Sequence, residues 1–119
     1  MNMIKTLLFA AISLVSMSAS AADAVTACPK NFKVIAEDDT ARILHFTQKK
    51  GETCAMHTHP HIASYVIKSD APLTFKMPDG SVKDAPNLKA GDAFLRPATE
   101  HEHLAAKGDV EAIITEYKK

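Results

Sequence analysis

The chain has 119 residues, with 14 basic and 14 acidic side chains and a formal net charge of zero. That length suits one domain built around one core. No basic run exceeds two residues, which excludes functions that need a broad basic surface, so nucleic acid and acidic lipid are not expected partners.

The N-terminus reads as a secretory signal. A charged start, MNMIK, precedes the apolar run TLLFAAISLV and the small residues SMSASA, which end at Ala19-Ser20-Ala21. Cleavage is expected after Ala21, making residues 1–21 the signal and Ala22 the mature start. The apolar run is too short for a hydrocarbon core of about 30 Å, which takes roughly 20 residues, so no membrane span is expected. An N-terminal helix of the domain is one alternative. Lipoprotein processing at Cys28, after the sequence VTAC, is another, although Asp23 and a polar gap part that motif from the apolar run. The expected location is periplasmic or secreted.

Export alters the reading of the two cysteines. In an oxidising compartment Cys28 and Cys54 are the single intramolecular pairing available, and a disulfide would pin the N-terminal segment to the strand that follows. The rival reading is Cys54 as a thiolate metal ligand, three residues before His57.

From there the chain alternates between short strand-like runs and turn residues. FKVIA (32–36), ARILHF (41–46), CAMHTH (54–59) and IASYVIK (62–68) are followed by PLTFKM (72–77) and a turn at Pro78-Asp79-Gly80. Asp-Gly there is the signal of a two-residue hairpin. SVKDAPNL, AFLRP, HEHLAA and VEAIITEY (110–117) complete the series. No segment holds a 3.6-residue period, which predicts an all-β sandwich or barrel. Tyr65, Ile67, Phe75 and Met77 are expected to face its interior, and His45 to be a hydrogen-bonded strand histidine.

Six histidines are present, and five fall in two clusters: His57, His59 and His61, then His101 and His103. Residues two apart on a strand share a face, so His57 projects with His59 and His101 with His103. Converging rings would form a complete shell for Zn, Fe, Cu or Ni. The plainer alternative is a pair of solvated histidines on wet strand faces.

At this point the residues resemble the cupin superfamily. GETCAMHTH is similar to its first motif at Gly51, His57 and His59. GDAFLRPATEH resembles the second at Gly91, Asp92, Pro97 and His101, one residue shorter between Pro97 and His101 than usual. The resemblance spans residues 51–117, with residues 22–50 as the N-terminal strands of the barrel. It implies an all-β, double-stranded β-helix (a jelly-roll barrel) in one domain, with a divalent metal ion (Fe, Zn, Ni or Mn) held by His57, His59 and His101. The glutamate that usually completes the first motif is missing, since Ile62, Ala63 and Ser64 occupy its place. Three neutral imidazoles would leave the ion its full charge, acidifying bound water and leaving positions open for an anionic ligand. His61, His103, Glu100 and Glu102 are candidates for a fourth ligand or a supporting contact, with His61 expected to turn toward the rim after Pro60.

Two functions follow as expectations. One is a metal-dependent oxygenase or isomerase acting on a small anionic or dicarbonyl compound, with Tyr65, Glu100 and Glu102 as acid–base candidates and Arg96 as a partner for an anion. The other is a non-catalytic periplasmic cupin that binds a metal or small ligand. A barrel without metal is the third reading. A small-molecule ligand is the expected partner, and a homodimer is left open.

Overall fold

The computed structural model describes residues 21–118; the signal segment expected over residues 1–21 lies, but for Ala21, outside the described residues. A four-residue helix, α1 (Ala24–Ala27), is capped by Asp23, whose carboxylate accepts from the Thr26 N–H at 3.3 Å. Nothing in the strand pattern signals so short a helix. Among the described residues nine strands follow: β1 (Phe32–Glu37), β2 (Ala41–Gln48), β3 (Cys54–His59), β4 (Ile62–Ser69), β5 (Thr74–Lys76), β6 (Val82–Asp84), β7 (Ala93–Arg96), β8 (Thr99–His103) and β9 (Val110–Tyr117).

These form two antiparallel sheets, one in the order β1-β2-β9-β4-β7 and the other β3-β8-β5-β6. Their inner faces meet. Phe32 of β1 lies edge-on to His57 and His59 of β3, with ring centroids 5.5 and 5.6 Å apart, and Phe46 of β2 lies 5.5 Å from His103 of β8. Leu44, Ile62, Ala112 and Ile114 fill the space behind them. Burying each large side chain of this set stabilises the fold by about 1.5–3 kcal/mol.

The alternation along each strand decides what reaches the interior. On β2 the buried positions are Leu44, Phe46 and Gln48, and on β9 they are Val110, Ala112, Ile114 and Glu116. On β4 they are Ile62, Ser64 and Val66, which corrects the expectation for Tyr65 and Ile67: both point outward, 52% and 40% exposed. Both faces of β4 carry apolar residues, so hydrophobicity alone does not choose between them. The pairing of Tyr65 with Ile113 on β9 does. Phe75 faces inward as expected, while Met77 is half-buried.

The Asp-Gly turn also differs from a two-residue hairpin. The Met77 N–H donates to Ser81 O at 2.8 Å, leaving Pro78, Asp79 and Gly80 as a three-residue loop with Gly80 at φ 90°. A two-residue turn of the Asp-Gly type needs positive φ at both central residues. Asp79 stays at negative φ, so only glycine takes the left-handed position.

Cys28 and Cys54 form a disulfide, with Cα atoms 5.7 Å apart, and Cys54 is therefore not a thiolate ligand. It joins the residue after α1 to the first residue of β3. Between Cys54 and His57 the β3–β8 register slips, so that both buried residues face inward despite being three apart.

Replacing both cysteines by serine should cost about 3 kcal/mol, from the freedom returned to a closed loop of roughly 25 residues. Urea unfolding of the two proteins checks this, and equal midpoints with equal slopes would contradict it.

Candidate metal centre

Four histidines converge between the sheets. His57 and His59 come from β3 and His101 and His103 from β8, and His57 stands directly opposite His101 in the ladder. All four are buried, and one ring nitrogen from each lies within 4.8 Å of those of the others. His61 is not among them; it sits on the surface beyond Pro60, its ring 5.9 Å from that of Tyr117. Glu100 and Glu102 alternate to the other face of β8, away from the cluster. His103 is as buried as the others, although the motif resemblance left it a candidate supporting residue.

Three of the four rings are held by a contact at the outer nitrogen. His57 Nδ1 lies 2.7 Å from the carbonyl oxygen of Ala55, which can only accept, so Nδ1 carries the proton. His59 Nδ1 lies 2.9 Å from Glu116 Oε2 and donates to that carboxylate. His103 Nδ1 lies 2.9 Å from Gln48 Oε1. The orientation of that amide is fixed in turn, because Gln48 Nε2 donates to the backbone oxygens of Glu52 and Leu104. This network assigns the same tautomer to three rings, with a bare lone pair on each Nε2.

The consequence is an arrangement with two acceptors face to face. His57 Nε2 and His59 Nε2 are 3.1 Å apart with no proton to share. His101 Nε2 is buried and has no hydrogen-bond partner among the described residues. Lone pairs gathered in this way repel one another unless a cation lies among them. Two imidazoles on one ion, with bonds of about 2.0–2.1 Å, hold their nitrogens about 2.9–3.4 Å apart, depending on the bond angle. The donor set thus fits a divalent ion preferring nitrogen ligands, such as Zn, Fe or Ni.

The carboxylate behind His59 belongs to a longer chain. Arg42 of β2 holds Glu116 Oε1 at 2.6 Å and Asp23 Oδ2 at 2.8 Å. Burial alone would raise the Glu116 pKa, but the hydrogen bonds from His59 and Arg42 outweigh it and hold the carboxyl below its usual range. A carboxylate behind a ligating histidine fixes the ring and raises its basicity. Neither Glu116 nor Gln48 was singled out in the sequence. The signal was present, as a polar residue in phase with the inward apolar residues of β9 and β2. His45 is unrelated to the cluster, bonding Glu111 at 2.6 Å.

Beside the cluster lies a cavity of about 310 Å³, whose wall includes His59, His103, Phe46, Phe75, Phe94 and Arg96. His101 stacks flat on Phe75, centroids 4.4 Å apart, which orients the one ring of the four that has no anchoring Nδ1 hydrogen bond among the described residues.

No protein-family model matches the chain, and no curated protein matches it in sequence. Solved structures do match in fold. A cupin domain from Bordetella pertussis Tohama I superposes with a TM-score of 0.64 at 16% identity, covering 85% of this chain and 99% of that one. A cupin superfamily protein from Desulfitobacterium hafniense has a TM-score of 0.53 at 17% identity, over 74% of this chain and 76% of its own. A double-stranded β-helix protein from Klebsiella pneumoniae has a TM-score of 0.53 at 20% identity, over 72% and 74%. With the two-sheet topology, these likenesses define the class: a small single-domain protein with the cupin double-stranded β-helix fold. Within that fold this chain is marked by four buried histidines that could bind a metal.

Burial drives His57 down to about 4 and His101 to about 2, and it holds His103 well below the ordinary imidazole value of 6.5. A folded value below the unfolded one means that the unfolded chain takes up protons first as pH falls. Stability is therefore complete above about pH 6.5 and declines below it. Metal-free protein should lose on the order of 2 kcal/mol for each of His57 and His101 between pH 7 and pH 5, with His103 acting in the same direction, above the range where carboxylates titrate. Urea unfolding across that window measures the slope, and a flat profile would contradict the neutral cluster.

Proposed function

We propose that this protein is an exported barrel that binds one divalent metal ion through His57, His59, His101 and His103 and presents it to a small molecule in the adjoining cavity. The observation that carries the reading is the set of Nδ1–H hydrogen bonds, which aims three Nε2 lone pairs at the place where His101 Nε2 stands unpartnered. His57, His59 and His101 are the positions that the motif resemblance implies, and His103 supplies the fourth nitrogen where the usual glutamate is missing. The disulfide supports an oxidising compartment, in keeping with a signal over residues 1–21.

An ion held by these neutral imidazoles would keep its full charge and would supply Lewis-acid strength when bound. The chain's own contribution is to fix the rings and exclude water. Side-chain acid–base catalysis has little support. Tyr65 faces outward, Glu100 and Glu102 lie across β8 from the cluster, and both Glu116 oxygens are engaged by His59 and Arg42. This favours ligand capture, or an oxygenase reaction that needs no protein base, over isomerisation by proton transfer.

Untagged protein refilled with zinc, iron, nickel or manganese should hold about one equivalent by elemental analysis. Alanine at any one of His57, His59, His101 or His103 should weaken binding while three imidazoles remain. Alanine at two of them together should reduce the content to under about a tenth, while His61→Ala leaves it unchanged. Glu116→Gln should weaken affinity about 10- to 100-fold by loosening His59. Wild-type protein that retains none of the four metals would overturn the reading.

A further inference from the structure

Two partly buried arginines face the interior, and they differ in one respect. Arg42 is neutralised twice, by Glu116 and Asp23. Arg96, at the end of β7, pairs with no carboxylate among the described residues, and its Nε is buried without a hydrogen-bond partner among them. A buried guanidinium is costly without an anion to accept its donors. Its neighbours are instead the rings of Phe75 and Phe94, with Cζ 5.7 and 5.8 Å from their centroids. These rings orient the guanidinium through the cation–π attraction without using its N–H groups.

Arg96 also lines the cavity that reaches His59 and His103. Apart from the histidines, the polar side chains on that wall are Arg96, Ser64 and Ser69, and the rest is apolar, including Phe32, Ile62, Leu73 and Leu88. A site of this kind matches one negative charge and an apolar body. Away from the His59 and His103 side, a second charge on the same ligand would face phenylalanine and leucine. At about 310 Å³ the space lies at the small end of small-molecule pockets, about 300–1,000 Å³, which suits a compact ligand such as one ring or a short branched chain.

We infer that the cavity takes a small monocarboxylate with an apolar body, its carboxylate bound by Arg96 and its hydrocarbon lying between Phe75, Phe94 and the β4–β9 wall. This rests on reading the cavity as the ligand site beside the metal, and it names the class of ligand. Arg96 is the specificity-determining group. Its fork of N–H donors meets both oxygens of a carboxylate, which a neutral amide of the same shape does not offer. Burial without an anion also lowers the Arg96 pKa, a penalty that a bound carboxylate would relieve.

The test uses phenylacetate and its neutral isostere phenylacetamide, titrated calorimetrically into chelator-stripped and zinc-loaded protein. Stripped wild-type protein should bind phenylacetate about tenfold or more tightly than phenylacetamide. Arg96→Gln should bring the two within about twofold by weakening phenylacetate alone. Arg96→Met, which keeps the apolar bulk, should do the same, and if neither variant folds the wild-type pair decides. The inference is overturned if wild-type protein does not discriminate, if it fails to bind phenylacetate at millimolar concentration, or if both variants keep the preference. The two readings fail separately. Discrimination without zinc uptake removes the metal and keeps the anion pocket, whereas zinc uptake without discrimination does the reverse.

Discussion

The hydrogen bond from His59 Nδ1 to Glu116 is the contact on which the interior depends. It is one of three such bonds, with His57 to Ala55 O and His103 to Gln48. Each uses the outer nitrogen of a ring and leaves the inner one bare, so the barrel holds a knot of acceptors where a folded core would ordinarily hold carbon. Such a centre is unfavourable by itself, because buried polar groups without partners cost free energy. It persists because the three supporting acceptors come from different parts of the fold: a bulged stretch of β3, the last strand β9 and the end of β2.

Those supports tie the centre to the rest of the molecule. Glu116 is fixed by Arg42, and Arg42 reaches Asp23, which caps α1. The neighbouring backbone of Ala22 accepts from Thr58 N–H at 2.9 Å, between the two β3 histidines. The disulfide fastens the same N-terminal segment to Cys54. The segment after residue 21 therefore braces the strand that carries His57 and His59, through one covalent bond, one backbone hydrogen bond and one chain of charges. On the other side the cavity wall presents Arg96, a cation with no carboxylate partner among the described residues. One arginine serves the scaffold and the other faces the space a ligand would fill.

Much of this was legible in the sequence because it follows from period two. Turn residues marked the strands, and strand parity put His57 with His59 and His101 with His103. The cysteine pair followed from there being only two. What remained hidden depended on strand order. Glu116 reaches His59 only because β9 lies between β2 and β4, and Gln48 reaches His103 only because the two sheets face each other. Neither neighbourhood is written in local pattern. Tyr65 and Ile67 were misassigned because both faces of β4 are apolar enough to be buried, and only pairing with β9 breaks the tie. His103 shares a face with His101 and was readable by parity, but a motif with one histidine at that place drew attention away from it.

The most direct test of this account is the protonation of the histidine rings in metal-free protein at neutral pH, read from long-range ¹H–¹⁵N correlation spectra. Neutral imidazole in water favours the proton on Nε2. The account requires the opposite for His57, His59 and His103, each with a proton on Nδ1 and an Nε2 whose nitrogen signal moves on adding zinc. Nε2-protonated rings at His57 and His59, or spectra that zinc leaves unchanged, would contradict it.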